Sequence, residues 1–198
     1  MFHAPINARG ERFSPFAAPL SFGARPAPFP APLDLCRDQV PAAEDCDGLR
    51  FAAAARKLAC GQAFRPAFAT GDWRVFASFC IARRLAAGHR VMIAGRADRT
   101  LRFVVEGSLW QECASGPRRP KVLQAGAILG EDALFSDATD DLDVRTLEDS
   151  LLLDLSLPRQ KELTAACPEI GFELLRAAGA VIAARGRAAE GRDELATN

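Results

Sequence analysis

The sequence contains few of the side chains that metal and nucleophilic chemistry require. Among its 198 residues there are two histidines, His3 and His89, and the six cysteines include no Cys-x-x-Cys pair. Protein sites for zinc and other transition metals are built from closely spaced His, Cys or carboxylate ligands. No Ser-His-Asp, Cys-His or paired-carboxylate arrangement is readable in the sequence either. We therefore expect no metal site and no catalytic activity.

Net charge and long apolar runs are also missing. Lys and Arg number 25, as do Asp and Glu, so the formal net charge at pH 7 is zero. This balance predicts no strong attraction to nucleic acid or to an anionic membrane surface. No apolar run approaches the roughly 20 residues that cross a bilayer, and the N-terminus lacks the basic-then-apolar pattern of a secretory signal. The sequence predicts a cytoplasmic protein, without membrane association and without direct DNA binding.

Proline and phenylalanine are concentrated in residues 1–48, which hold eight of the 13 prolines and five of the 13 phenylalanines. Proline has no amide hydrogen to donate, so this segment should be extended or disordered rather than part of a helix or sheet. Two interpretations stay open, a disordered leader or a docking segment that presents large apolar anchors to a protein partner. The candidate anchors are Phe13, Phe16, Phe22 and Phe29.

Residues 49–198 have the pattern of one folded domain. Helical periodicity predicts helices within residues 49–79, and short strands separated by turn signals follow within residues 80–157. C-terminal helices are predicted within residues 158–187, with Pro168 in the first turn of the second one. The predicted fold class is mainly β with flanking helices (α+β), a β-roll or jelly roll followed by a C-terminal helix.

Glycines mark the turns of the predicted β-roll. Gly88, Gly95 and Gly107 each stand between two apolar runs, where a tight turn needs positive φ or no side chain. The cupin enzymes also have a jelly roll, but their metal is held by several His and Glu ligands on two strands. Because this region contains a single histidine, His89, the sequence favours a binding domain over a cupin enzyme.

One turn in the roll predicts a site for an anion. The apolar run Lys121–Leu129 is followed by Gly130, a short Glu-Asp-Ala-Leu segment and an acidic loop. A backbone that turns at a glycine and then starts a short helix points several amide N–H groups into one concavity. The candidate ligand-binding residues are Gly130, Glu131, Asp132, Ala133, Leu134, Asp140 and Asp141.

The order of these residues resembles the phosphate-binding cassette of cyclic nucleotide-binding domains, the sensor domains of the Crp/Fnr regulators. In that family a Phe-Gly-Glu-x-Ala-Leu turn is followed, about nine residues after the Glu, by an Arg and two small residues. Here the turn residues Gly130, Glu131, Ala133 and Leu134 match, while Leu129 stands where Phe is usual. The resemblance implies that Glu131 would hold the ribose 2′-hydroxyl of a cyclic nucleotide.

The sequence departs from the family at the residue that binds the cyclic phosphate. Where the family has its Arg, this chain has Asp140, followed by Asp141. A carboxylate repels a phosphate that a guanidinium would attract, and at about 4 Å and an intermediate dielectric each effect is roughly 4 kcal/mol. We therefore predict a degenerate cassette with impaired binding of cAMP or cGMP. Arg145 lies five residues after the position of the family's Arg, and strand alternation points it to the opposite face from residue 140. The other candidates to replace the missing phosphate-binding arginine are Arg83, Arg84, Arg90, Arg96 and Arg102.

The last predicted helix carries an apolar stripe at helical spacing. The stripe consists of Ile170, Leu174, Ala177, Ala178, Val181 and Ile182. In the family this helix covers the nucleotide pocket and packs against its twin in a dimer, whereas within one chain the stripe would cover the β-roll. The resemblance covers about residues 72–185, and a Crp-type transcription factor would continue into a winged helix-turn-helix. Because 12 residues follow Gly186, we expect no DNA-reading domain, and a homodimer through the C-terminal helix stays open.

Two functions fit these observations. The first is a stand-alone cyclic nucleotide-binding-like domain that acts as a non-catalytic regulatory or protein-interaction module, with a protein partner and no cofactor. The second is a working sensor of a cyclic nucleotide or another small ligand, related to the Crp/Fnr regulators, that signals through a partner. Asp140 favours the first function, because a phosphate beside a carboxylate needs a compensating cation that the cassette does not supply.

Overall fold

The computed structural model describes residues 46–58, 63–96, 98–114, 120–136 and 141–196, with side chains as far as Ala188. The Pro/Phe-rich segment predicted for residues 1–48 lies outside the described residues as far as Asp45. The described part contains two antiparallel sheets flanked by helices, which confirms the predicted β-roll with flanking helices.

Two of the described helices precede the strands and two follow them. They are α1 (Asp47–Lys57), α2 (Thr70–Ser78), α3 (Leu157–Ala166) and α4 (Pro168–Ala196). Helix α1 buries Phe51, Ala52 and Ala55, and α2 buries Trp73 and Phe76, at spacings that place them on one side of each helix. None of the described helices is long and apolar enough to cross a membrane.

Eight described strands form the two sheets. They are β1 (Ile81–Leu85), β2 (Arg90–Met92), β3 (Thr100–Glu106), β4 (Ser108–Cys113), β5 (Lys121–Gln124), β6 (Ile128–Leu129), β7 (Leu142–Thr146) and β8 (Ser150–Ser156). The first sheet has the strand order β1-β8-β3-β6, and the second has the order β2-β7-β4-β5. Gly88, Gly95 and Gly107 all have positive φ, which confirms their predicted positions in the turns between strands.

Strand β3 separates two apolar cores. Alternate side chains of a strand point to opposite faces, so Phe103 faces the helices while Val104 faces the second sheet. The ring of Phe103 packs on Phe51, Phe64 and Phe76 with centroid distances of 5.2, 5.2 and 4.9 Å. This aromatic group fixes α1 and α2 on the first sheet. The second core fills the interior of the roll.

The apolar run Lys121–Leu129 is divided between the two sheets. Strand β5 pairs with β4 in the second sheet, and β6 pairs with β3 in the first. The chain crosses from one sheet to the other at Gly126, whose φ is 93°. A Cβ at this glycine would collide with the backbone of Ala55 in α1. The close approach of a helix therefore breaks a run that looked continuous in the sequence.

Two helix boundaries differ from the prediction. Helix α1 begins at Asp47 rather than at residue 49, and its N-cap residue Cys46 makes no side-chain capping hydrogen bond. Helix α4 was expected to end by residue 187 but continues to Ala196. The additional turns are rich in Ala, Glu and Arg, whose helix propensity offsets the cost of about 1 kcal/mol for Gly191.

We predict that Gly130→Ala destabilises the fold by more than about 2 kcal/mol. Gly130 has a φ of 75°, where an alanine is strained by about 1–2 kcal/mol, and a Cβ would collide with the carbonyl oxygen of Thr100. Gly71→Ala in α2 is the control, because a Cβ there meets no atom within 4 Å. Urea unfolding of both variants measures the difference. Equal free energies of unfolding would contradict the prediction.

Candidate functional site

The candidate site is the turn that follows β6. Gly130 takes the left-handed conformation, and the chain then makes one 3₁₀ turn from Glu131 to Leu134. Asp132 is exposed, and Leu134 packs against the core beneath the helices. The order of residues that suggested a cassette therefore does form a glycine turn followed by a short helical segment.

Glu131 is buried and paired within the chain. The residue is 2% exposed, and its Oε1 accepts a hydrogen bond from Nη1 of Arg185 in α4. The other terminal nitrogen of Arg185 donates to the carbonyl oxygen of Ile128 at 2.8 Å. One guanidinium thus holds both the strand that enters the turn and the first side chain of the turn. Helix α4 is thereby joined to the candidate site.

The pairing of Glu131 is incomplete. Its Oε2 is buried and has no hydrogen-bond partner among the described atoms. Burial raises the pKa of the Glu131 carboxyl above its ordinary value, although the charge of Arg185, a hydrogen bond from the backbone of Glu131 and the hydrogen bond of Arg185 act in the opposite direction. The net direction means that loss of solvation outweighs these favourable contacts. Ionised Glu131 is therefore less well stabilised here than in water.

Several amides of the turn are already used inside it. The amide of Ala133 donates to the carbonyl of Gly130 at 3.3 Å. The amides of Phe135 and Ser136 both donate to the carbonyl of Asp132, at 3.0 and 2.9 Å. Fewer N–H groups are free to surround an anion than the sequence suggested, because a 3₁₀ turn satisfies its own donors.

The acidic loop after the turn is described only in part. Asp140, the residue at the position of the family's phosphate-binding Arg, lies outside the described residues. Asp141 is half-buried, and its Oδ2 lies 3.4 Å from the Sγ of Cys113 on β4. The amide of Ala114 donates to the carbonyl of Asp141 at 3.0 Å, so the backbone here continues the pairing of β4 with β7. The side chain of Asp141 thus contacts Cys113 at the end of β4.

Three of the five arginines considered as replacement cations pair with carboxylates of the strands and turns. Arg102 is 5% exposed and pairs with Asp98 and, at 3.7 Å, with Asp154 inside the roll. Arg83 donates to the same Asp154 at 3.0 Å. Arg90 pairs with Asp143 at 3.2 Å. The remaining two, Arg84 and Arg96, are exposed.

Arg145 lies on the outer face of the second sheet. Its neighbour Val144 is buried in the interior of the roll, so alternation turns Arg145 outward. On that face it stands opposite Trp110 of β4 and Arg90 of β2. Arg145 therefore points away from the interior of the roll, as strand alternation predicts.

Sequence reasoning missed Arg185, the cation that does contact the turn. The signal was present in the apolar stripe of α4, because Arg185 follows Val181 by four residues and so lies on the same face. The stripe by itself predicts only apolar contacts, and the candidate cations named from the sequence all belong to the strands and their turns. Among the residues that the structure describes, no group of three or more His, Cys, Asp or Glu side chains could hold a metal ion.

Comparison with known proteins gives the fold through structure alone. No protein-family profile matches the sequence, and no curated protein matches it. Solved structures do resemble it. A cyclic nucleotide-binding domain from Methylobacillus flagellatus superimposes with a TM-score of 0.62 at 16% identity, over 73% of this chain and 81% of that one.

Two further solved structures also resemble the chain. The catabolite activator protein of Thermus thermophilus gives a TM-score of 0.56 at 20% identity and covers 66% of this chain, which spans 61% of the length of that protein. The N-terminal domain of a transcriptional regulator from Streptomyces coelicolor gives 0.51 at 23% identity, over 62% of this chain and 87% of that one. The described part of this chain has the fold of a cyclic nucleotide-binding domain of the Crp/Fnr type.

Proposed function

We propose that this chain is a cytoplasmic, non-catalytic regulatory or protein-interaction module whose binding of cyclic nucleotides is impaired. The observation that supports this proposal is the ion pair of Glu131 with Arg185, because it engages the side chain that would hold a ribose. The proposal includes a protein partner and no direct contact with DNA. A formal net charge of zero is consistent with the absence of DNA binding.

The first argument is that a cyclic nucleotide would compete with Arg185. A ribose hydroxyl that takes the bonding position of Arg185 on Oε1 of Glu131 displaces the guanidinium, which also binds the carbonyl of Ile128. Hydrogen bonds that involve a charged group contribute about 1.5–3 kcal/mol each. Losing even one of them lowers affinity roughly 10- to 150-fold.

The second argument is the charge of the cassette. Its acids Asp132, Asp140 and Asp141 follow Glu131 closely, and Arg102, Arg83 and Arg90 are paired with other carboxylates. A cyclic phosphate at this position would meet negative charge, and these three arginines already compensate other carboxylates. An anion is therefore a poor ligand for this turn.

One observation favours the alternative function, a working sensor. The Oε2 atom of Glu131 is buried without a hydrogen-bond partner among the described atoms, and a ligand hydroxyl could donate to it without displacing Arg185. In that case the chain would bind a cyclic nucleotide or another hydroxylated small molecule and signal through its partner.

Calorimetric titration of cAMP and cGMP separates the two functions. We expect no binding to the wild-type chain. We expect Asp140→Arg to raise affinity by at least about 100-fold, because it replaces repulsion of the phosphate by attraction. Asp132→Arg is the matched control, since it adds the same charge at an exposed residue of the same turn.

Binding by Asp140→Arg alone would mean that the cradle is intact and lacks its cation. Equal gains in both Arg variants would indicate a general charge effect and contradict the assigned geometry. Micromolar binding by the wild-type chain would contradict impaired binding and support the sensor.

We also propose that the outer face of α4 packs against a second copy of this chain. Phe172 is 66% exposed, and a Cβ at Gly179 or Gly186 would meet no atom within 4 Å. Together with the partly buried Leu175 and Ile182, these residues recur at spacings of three and four. Such a stripe is a helix-packing seam, and its small residues permit close contact. The proposed dimer surface consists of Phe172, Leu175, Gly179, Ile182 and Gly186.

Light scattering coupled to size-exclusion chromatography tests the dimer. We expect the wild-type chain to elute as a dimer and Phe172→Glu as a monomer, because a buried unpaired carboxylate opposes association. Phe135→Glu is the control, since Phe135 is 56% exposed but lies outside α4. A monomeric wild-type chain, or an equal effect of the two variants, would refute this surface.

A further inference from the structure

The outward face of the second sheet carries one row of side chains that crosses all four strands. Residues directly opposite each other in an antiparallel pair point to the same face. The adjacent residues Leu109 and Val144 are buried inside the roll, so the row points out of it. We call the row the outer row, and it consists of Val122 on β5, Trp110 on β4, Arg145 on β7 and Arg90 on β2.

Two like charges are neighbours in the outer row. Arg90 and Arg145 stand directly opposite each other, an arrangement that destabilises a sheet. Arg90 is paired with Asp143 at 3.2 Å, whereas Arg145 is exposed and has no hydrogen bond or ion pair with a residue that the structure describes. A position that breaks a local rule of stability without compensation in the chain is typical of a functional surface.

The acids of this face already have partners. Glu112 accepts a hydrogen bond from the indole N–H of Trp110 at 3.1 Å, and Asp143 accepts one from Arg90. Arg145 therefore remains for a carboxylate from outside the chain. A nucleic acid would carry its phosphates past Glu112 and Asp143 as well, and this repulsion opposes that class of partner.

The apolar half of the outer row is accessible and held in place. Val122 is 48% exposed, and the half-buried ring of Trp110 beside it is oriented by its hydrogen bond to Glu112. Trp and Arg are enriched among the residues that dominate binding energy in protein interfaces. Little side-chain entropy is lost when a partner packs on a ring that is already oriented.

The size of the cleft beside Arg145 favours a side chain over a whole ligand. Its volume is about 290 Å³, at the lower limit of sites that enclose a small molecule. The cleft is also open on the sheet, and it is lined by Gly88, Arg90, Glu112, Asp143, Val144 and Arg145. One acidic side chain of a longer segment has room there, next to the apolar half of the row.

We propose that the outer row binds an extended segment of a partner protein in which an Asp or Glu lies two positions from an apolar residue. Neighbouring strands lie about 4.8 Å apart, so Arg145 is about 7 Å from the midpoint between Val122 and Trp110. Residues i and i+2 of an extended chain are also about 7 Å apart and point to the same side. The apolar side chain packs on Val122 and Trp110, and the carboxylate pairs with Arg145. This inference rests on the proposed function, because it names the surface that the protein partner contacts.

Selection from a phage library of random linear peptides on the full-length chain tests the outer row. We expect the selected peptides to share an apolar residue two positions from an Asp or Glu. Fluorescence anisotropy then measures the affinity of synthetic copies, and Arg145→Thr should lower it at least about tenfold. Arg84→Thr is the matched control, because it removes the same charge from an exposed residue of the first sheet and should bind like the wild-type chain.

Two further measurements separate lost contact from lost folding. The urea midpoint of Arg145→Thr should equal or exceed that of the wild-type chain, because threonine suits a strand and the repulsion of Arg90 is removed. A lower midpoint would contradict this repulsion. A peptide with Lys in place of its acid should bind Arg145→Glu better than it binds the wild-type chain, a reversal that only direct contact with residue 145 produces.

Peptides that bind the wild-type chain and Arg145→Thr equally would overturn the outer row and leave a protein partner at another surface. Failure to select any peptide would overturn it as well. A change of molecular mass of Arg145→Thr in light scattering would identify the occupant as a second copy of this chain and contradict the proposal. None of these results bears on impaired binding of cyclic nucleotides, which calorimetry measures separately.

Discussion

The burial of the Glu131 carboxylate beneath α4 is the constraint on which the site depends. A carboxylate that is 2% exposed must be paired or neutral, and Arg185 pairs one of its oxygens. For this pairing the chain must turn sharply after β6, which requires the left-handed Gly130, and α4 must extend one turn past Val181. The conformation of the turn and the length of the helix thus serve the same contact.

The two apolar cores position the turn after β6 and helix α4. Alternation along β3 points Phe103 toward the helices and Val104 into the roll. One face of the first sheet therefore packs against α4, and its other face packs against the second sheet. Arg102, on the interior face, is held by Asp98 and Asp154. Arg102 is therefore paired inside the roll, and the cation that reaches the candidate turn comes from the C-terminal helix.

Much of the fold could be predicted from local patterns, because short alternating runs and turn glycines report the strands directly. The division between β5 and β6 could not be predicted, since it depends on α1 approaching Gly126 from elsewhere in the chain. The same limit applies to the site. Gly130 and Glu131 follow from the local sequence, whereas the pairing of Glu131 joins residues 54 positions apart. Only the helical spacing of Arg185 after Val181 pointed to it.

The central claim is that Arg185 and Glu131 stabilise each other across the turn and the helix. A double-mutant cycle in urea, with Glu131→Gln, Arg185→Met and the double variant, measures this coupling without reference to any ligand. The account predicts a coupling free energy of about 1–3 kcal/mol, as for a hydrogen-bonded ion pair that is largely shielded from water. A coupling below about 0.3 kcal/mol, the level at which independent sites add, would contradict it.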